Sequence, residues 1–169
     1  ELVGVLTVRK MEWADVDILA QIQKDAFAPL YQRFHDPSNP HLRGREDIER
    51  RLDNPCIHPF TIEEDGCIVG GIWYIRNRKL LLCELKPHEY YLGRVFIRPD
   101  RQGKGLAKQA ILLCEQQFPD AVKYYVDFPD VLEKNRRCYA GAGYRPTGIK
   151  QETDPGVILE LYEKIVKQP

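Results

Sequence analysis

The middle of the chain contains the segment IRPDRQGKGLA, residues 97–107, between a stretch with strand character and one with helix character. Gly103 and Gly105 have no Cβ atom, so the backbone can come close to a ligand there. The first amides of the following helix have no intrahelical acceptor and lie at the positive end of its dipole. Because Lys104 adds a formal charge, the segment predicts a site for a diphosphate. An ordinary turn between strand and helix is the alternative interpretation.

Two common nucleotide motifs do not occur at this turn. The motif GxxxxGK[ST] requires Ser or Thr after its lysine, where this chain has Gly105, and GxGxxG requires a glycine where it has Lys108. The pattern that remains is Q-x-x-G-x-A, from Gln102 to Ala107.

The hydrophobic periodicity on both sides of this segment predicts both strands and helices. The predicted order is strand, helix, helix, three strands, helix, strand, helix and two strands, without internal repeats. Helices are predicted over 15–28, 45–52, 106–118 and 132–142, with strands over 5–9, 60–64, 67–76, 90–97, 124–128, 143–149 and 157–164. Asp65-Gly66 predicts a tight hairpin, and the turn formers and aromatic residues of 29–44 predict an irregular loop. The pattern is that of a mixed α/β domain.

Composition excludes several classes of protein. The 25 basic and 25 acidic residues give a formal net charge of zero, which argues against a nucleic-acid partner. No apolar run approaches the roughly 20 residues that a membrane span needs. Because the chain begins with Glu1, an earlier leader is an open alternative.

The number and spacing of the cysteines and histidines fit neither a disulfide framework nor a zinc module. The chain has five cysteines, an odd number without a CxxC pair, and four histidines without an HExxH motif. These counts predict reduced thiols in a cytoplasmic protein and no metal site.

The chain resembles the GNAT superfamily of N-acetyltransferases. Its turn matches the signature [QR]-x-x-G-x-[GA], which follows a hydrophobic-x-Pro step supplied here by Ile97-Arg98-Pro99. The segment from Tyr139 to Tyr144 matches a second pattern, Y-x-x-x-G-[FY], and Thr7-Val8-Arg9-Lys10 is similar to the family's first strand. The similarity covers most of the chain and is strongest between Val95 and Tyr144.

The resemblance implies one acyl-CoA N-acyltransferase domain over residues 1–169. Its fold would be α/β, a mixed α+β domain with a strongly bent, mostly antiparallel sheet of about six to seven strands and about four helices. The strand ending at Ile97 would separate from the strand 124–128 and leave a wedge for acetyl-CoA. The pantetheine arm would pair with main-chain groups of Val95, Phe96 and Ile97.

The family motif also indicates the other coenzyme contacts. Many members have an asparagine about seven residues before the tyrosine, where this chain has Leu132, and Asn135 is the nearest candidate. The predicted coenzyme-binding residues beyond the strand are Gln102, Gly103, Lys104, Gly105, Leu106, Ala107 and Asn135.

Acetyl transfer requires a base, because an alkyl amine with a pKa of about 10.4 is protonated at neutral pH. Glu89 is predicted as that base, on the same strand face as Tyr91, Gly93 and Val95 by the period of two. Glu84 and Asp127 are alternatives, and a solvated charge near a strand end is the structural interpretation of Glu89. Tyr139 is predicted to donate a proton to the leaving sulfur, with aromatic packing as its alternative role.

The predicted function is transfer of an acetyl group from acetyl-CoA to a primary amine by direct attack, without a covalent enzyme intermediate. Small molecules and peptides are both candidate acceptors, and recognition is assigned to residues 29–44 and 77–87. The resemblance also allows a homodimer. A CoA-binding sensor without catalysis and a transferase of longer acyl groups are the alternatives.

Overall fold

The computed structural model describes residues 4–167. Residues 1–3 and 168–169, which belong to the predicted domain, lie outside the described residues. The strands are β1 (Leu6–Lys10), β2 (Ile57–Glu64), β3 (Cys67–Ile75), β4 (Glu89–Ile97), β5 (Lys123–Pro129), β6 (Arg145–Asp154) and β7 (Val157–Ile165). The helices are α1 (Val16–Phe34), α2 (Arg45–Asp53), α3 (Leu106–Glu115) and α4 (Glu133–Gly141), with short 3-10 turns at Trp13–Asp15, Pro40–Leu42 and Pro99–Arg101.

One seven-stranded sheet joins all these strands in the order β1-β2-β3-β4-β5-β7-β6. Neighbouring strands are antiparallel except β4 and β5, which are parallel. The predicted fold class and the predicted order of elements are both confirmed. The hairpin between β2 and β3 forms at Asp65-Gly66, where both residues have positive φ, 51° and 80°.

The helices cover the two faces of the sheet. On one face, α3 and the end of α4 pack on a core that includes Tyr74, Leu92 and Val126. On the other face, α1 and α2 pack on a smaller core around Trp73 and Phe96. Side chains on one face of β4 and β5 therefore point toward α3, and those on the other face point toward α1 and α2.

A bulge in β4 changes the faces of its side chains. Tyr74 of β3 lies opposite Leu92, but Trp73, the next residue, lies opposite Arg94, so Gly93 is the extra residue. As a result, Arg94 and Phe96 point toward α1 and α2, while Val95 and Ile97 point toward α3.

Two predicted helix ends are wrong. Helix α1 continues through Pro29 to Phe34, so the first six residues of the predicted loop are helical, and α3 ends at Glu115 instead of 118. A ring nitrogen of His41 lies 2.7 Å from the Lys24 carbonyl oxygen, one turn before the proline. Packing of the segment after α1 therefore stabilises a helix end that proline would otherwise weaken.

Candidate functional site

The sheet opens into a wedge between β4 and β5. The two strands pair over Glu89–Tyr91 and Lys123–Tyr125 alone, and beyond this point β4 pairs with β3 and β5 pairs with β7. The main chain of Val95, Phe96 and Ile97 is therefore unpaired on the side of β5. The predicted wedge is confirmed, with strand backbone available to a ligand.

The glycine turn leads directly from this wedge into α3. Gly103 and Gly105 have φ values of 77° and 78°, and a Cβ at either position would meet no protein atom within 4 Å. The Gln109 amide donates to the Gly105 carbonyl at 3.1 Å, so the amides of α3 before Gln109 have no intrahelical acceptor. The turn thus presents amides and the positive end of a helix dipole.

Two side chains hold the turn against the sheet. Gln102 Nε2 donates to the Ile97 carbonyl at 2.8 Å. Arg101 donates from Nε and Nη2 to both oxygens of Glu64 on β2, at 2.7 and 2.6 Å. The Arg101 guanidinium holds the pKa of the Glu64 carboxyl at about 2. The side-chain amide of Gln102 therefore stabilises the conformation of the turn, and the backbone of Gln102 remains next to the site.

A cleft of about 820 Å³ runs along the wedge and the turn, within the range of ligand pockets in proteins. Ten predicted site residues line it: Val95, Phe96, Ile97, Gln102, Gly103, Gly105, Leu106, Ala107, Asn135 and Tyr139. Lys104 belongs to the turn, but among the described residues it is not part of the cleft wall. Five cationic residues that the sequence did not indicate also line the cleft: Arg33, Arg101, Lys108, Lys134 and Arg137.

Tyr139 on α4 forms part of the cleft wall beside the wedge. Its ring packs against Phe128 and Tyr144, with centroid distances of 5.2 and 6.0 Å. Within the described part of the chain, its hydroxyl has no hydrogen-bond partner, and it is not among the fully buried polar atoms. Burial, with the charges of Cys138 and Asp127, raises the pKa of Tyr139, so the phenol stays protonated. The ring is fixed and its proton is available.

Glu89 does not share a face with Val95, so this part of the sequence prediction is wrong. The bulge at Gly93 reverses the alternation, and Val95 points toward α3 while Glu89 points away from it. Glu89 is 8% exposed, accepts a hydrogen bond from the Lys86 amide at 3.0 Å, and is not part of the cleft wall among the described residues.

Asp127 on β5 lies two residues beyond the last pair of β4 and β5 and, like Glu89, is not part of the cleft wall among the described residues. Tyr91 of β4 donates its hydroxyl proton to Asp127 Oδ1 at 2.8 Å, just where the two strands separate. Burial raises the pKa of Asp127, while the hydrogen bond from Tyr91 lowers it in part. Val126 and Phe128 point toward α3, so Asp127 lies on the opposite face, with Tyr91.

The helix side of the cleft comes from α1. Phe27, Leu30 and Arg33 line the cleft, at the spacing of one helical face. The residues favoured from the sequence, Tyr31, Phe34, His35 and Asp36, are not part of that wall among the described residues. Tyr31 instead packs against the rings of His35 and His41, at 5.6 and 5.5 Å.

Over residues 4–167, no helix has both the length and the apolar character of a membrane span. In the same range, no three His, Cys, Asp or Glu side chains are grouped as metal ligands would be.

The chain superimposes on several solved structures of acetyltransferases. The ribosomal-protein-S18-alanine N-acetyltransferase from Escherichia coli superimposes with a TM-score of 0.72 at 12% identity, over 98% of this chain and 96% of that one. The PaiA N-acetyltransferase from Thermoplasma acidophilum, in complex with coenzyme A, gives 0.70 at 16% identity, over 96% and 99%. Spermidine N-acetyltransferase from Vibrio cholerae, in complex with CoA and spermine, gives 0.71 at 16% identity, over 95% of each chain.

The fold is therefore one that this chain shares with solved acetyltransferases. A family model, the Acetyltransferase (GNAT) family, matches residues 19–144, about three quarters of the 169 residues. The chain belongs to the GNAT family of acetyltransferases. Curated protein sequences give no match.

Proposed function

We propose that residues 1–169 form one acetyl-CoA-dependent N-acetyltransferase domain that acts on a primary amine. The observation that carries this proposal is that three features meet in one cleft: the open wedge, the amides of α3 that have no intrahelical acceptor, and the hydroxyl of Tyr139, which no described group bonds. All five cysteines are free thiols, which fits the reducing cytoplasm. Assembly as a homodimer stays a prediction.

The residues of the cleft fit coenzyme A along its length. The pyrophosphate would be held by backbone amides from Gly103 to Ala107, with Lys108 and Lys104 supplying positive charge. The amide-bearing arm would pair with the free edge of β4 from Val95 to Ile97 and pass Asn135 on α4. This leaves the thioester near Tyr139.

The reaction itself would be direct attack of the amine. The neutral amine nitrogen forms a bond to the acetyl carbon as the carbon–sulfur bond breaks. We assign removal of the amine proton to Asp127, since it lies just beyond the last pair of β4 and β5 and its raised pKa favours proton acceptance more than an ordinary carboxylate would. Tyr139 would give its proton to the departing sulfur. Glu89 is the competing base.

Calorimetry with acetyl-CoA and thiol release with a panel of amines test the proposal. Binding followed by amine-dependent thiol release is expected. Binding without release for any amine would identify a CoA-binding module without catalysis, and absence of binding would contradict both functions. Asp127→Asn and Glu89→Gln distinguish the two bases, because we expect only the former to lower turnover about 100-fold or more.

A further inference from the structure

Arg94 is a largely buried arginine directly after the bulge of β4. Its side chain is 17% exposed, and its guanidinium carbon lies 4.8 Å from the ring centroid of Trp73 and 5.9 Å from that of Phe27. Nη1 donates to Gln23 Oε1 of α1 and to Asp47 Oδ2 of α2, both at 2.8 Å. Two helices and two aromatic rings therefore hold the guanidinium plane in one orientation.

The contacts of Arg94 use one of its three nitrogens. Within the described part of the chain, no group bonds Nε or Nη2, and neither atom is among the fully buried polar atoms without a partner. Both nitrogens therefore reach the surface while the group itself is fixed. A fixed pair of parallel N–H donors matches the two oxygens of a carboxylate.

The charges around Arg94 are not balanced. Asp47, whose side chain is 4% exposed, also accepts hydrogen bonds from Arg50 at 3.0 Å and from Arg51 at 2.6 Å. Three guanidinium groups thus share one carboxylate; Arg50 is 62% exposed, but Arg51 and Arg94 are largely buried, where a charge is costly unless it is paired. Burial, followed by repulsion from Arg51, lowers the pKa of Arg94 to about 10. A further anion would stabilise this cluster.

Arg94 lies on the face of the sheet that α1 and α2 cover. Tyr91 and Asp127 are on this same face, opposite α3 and the glycine turn. Phe27, which packs on Arg94, is also part of the cleft wall. Neither Arg94 nor Asp127 is part of the cleft wall among the described residues, so an acceptor amine at Asp127 would extend from the cleft along this face toward Nε and Nη2 of Arg94.

Resting on the proposed function, we infer that the acceptor is a small amine that also carries a carboxylate, which Nε and Nη2 of Arg94 bind. A polycation such as spermidine would meet this arginine cluster with like charge and is expected to be a poor acceptor. The inference concerns the class of substrate and leaves the acetyl donor unchanged.

Matched pairs of acceptors test the inference. Glycine, β-alanine and 4-aminobutanoate are each compared with their own amide, by thiol release from acetyl-CoA, with spermidine and phosphoethanolamine alongside. At least one acid is expected to exceed its amide by about 10- to 100-fold in kcat/KM, the range for a charge-assisted pair of hydrogen bonds. Equal rates for acids and amides, or faster rates for spermidine or phosphoethanolamine, would overturn the inference.

Variants locate the preference at Arg94. Arg94→Gln is expected to abolish the advantage of the acid, mainly through KM, whereas Arg45→Gln should keep it. Arg45 is the matched control because it lies on α2, pairs with Asp17 and Glu49, and is half-exposed. If Arg94→Gln fails to fold, Arg94→Lys is used in its place, because lysine keeps a positive charge near Asp47 but lacks the planar pair of N–H donors. An unchanged preference in a folded Arg94 variant would contradict the assignment.

A binding measurement separates this inference from the proposed function. N-acetyl-β-alanine and its amide are compared for their effect on the melting temperature of the wild-type protein, without any coenzyme. Stabilisation by the acid alone, lost in the Arg94 variant, supports the anion site even if no amine is acetylated. If acetyl-CoA is turned over but neither the rates nor the melting temperatures favour the acid, the inference alone fails.

Discussion

The substitution Gly105→Ala tests whether the start of α3 contacts the coenzyme. Gly105 has φ 78° and ψ 15°, a left-handed conformation that costs an L-residue roughly 1–2 kcal/mol. A Cβ there would meet no protein atom within 4 Å, so the backbone conformation is the only cost to folding. For a protein of this size, that cost lowers the melting temperature by about 2–8 °C.

Binding should be affected more strongly than folding. The added methyl group would occupy space at the cleft wall, where the amides of the turn face the proposed pyrophosphate. Loss of one hydrogen bond to a charged group corresponds to roughly 1.5–3 kcal/mol. We therefore expect the Kd of acetyl-CoA, measured by calorimetry, to rise by about 10- to 150-fold.

Gly66 provides the matched control for this experiment. It has φ 80°, also has no protein atom within 4 Å of an added Cβ, and lies in the hairpin between β2 and β3. Gly66→Ala should therefore lose similar stability but bind acetyl-CoA like the wild type. A change of about 2-fold in Kd is well below the expected rise. If both variants bind acetyl-CoA within about 2-fold of the wild type, the turn does not hold the coenzyme and the reasoning is refuted.

Three further predictions concern catalysis and stability. Tyr139→Phe should lower kcat by about 100-fold or more with little change in the Kd of acetyl-CoA, whereas Tyr144→Phe, whose hydroxyl is buried away from the cleft, should not lower kcat. Asp127→Asn should remove the acidic limb of the pH profile of kcat. In the wild type we expect the midpoint of this limb to lie above the usual carboxylate range, because burial raises the pKa of Asp127. Hydrogen bonds from Arg9 hold the pKa of Asp15 at about 2, so its contribution of about 2 kcal/mol is complete above pH 4 and is lost as the pH falls toward 2. Urea unfolding of Asp15→Asn at pH 7 should show this loss directly, and an unchanged midpoint would contradict it.

Local signals explain why much of the fold was predictable. The Asp-Gly hairpin, the glycine turn and the alternation of strands each depend on neighbours in sequence, and each formed where the pattern indicated. The end of α1 was different, because Pro29 is a local signal for a break. The helix continues because His41, from a later part of the chain, packs against the ring of Tyr31 and lies within hydrogen-bonding distance of the Lys24 carbonyl.

The site was predictable where the family motif is continuous and not where the side chains come from distant elements. Gly103, Gly105 and Tyr139 belong to short motifs and lie together in the cleft. Arg94 and Gln23 are 71 residues apart in sequence, so no local pattern indicates that they are bonded. Val95 was wrongly predicted to share the face of Glu89, because a single extra residue in a strand leaves the hydrophobic pattern almost unchanged.

That extra residue also explains how one strand can serve both sides of the wedge. Without the bulge at Gly93, Arg94 would share the face of Leu92, in the apolar core under α3, where a guanidinium has no partner. With the bulge, Arg94 turns toward Asp47 and Gln23, and Val95 packs on the α3 side of the sheet. The register shift therefore places an anchored cation on the proposed acceptor side, while the main chain of the same strand stays available to the proposed donor.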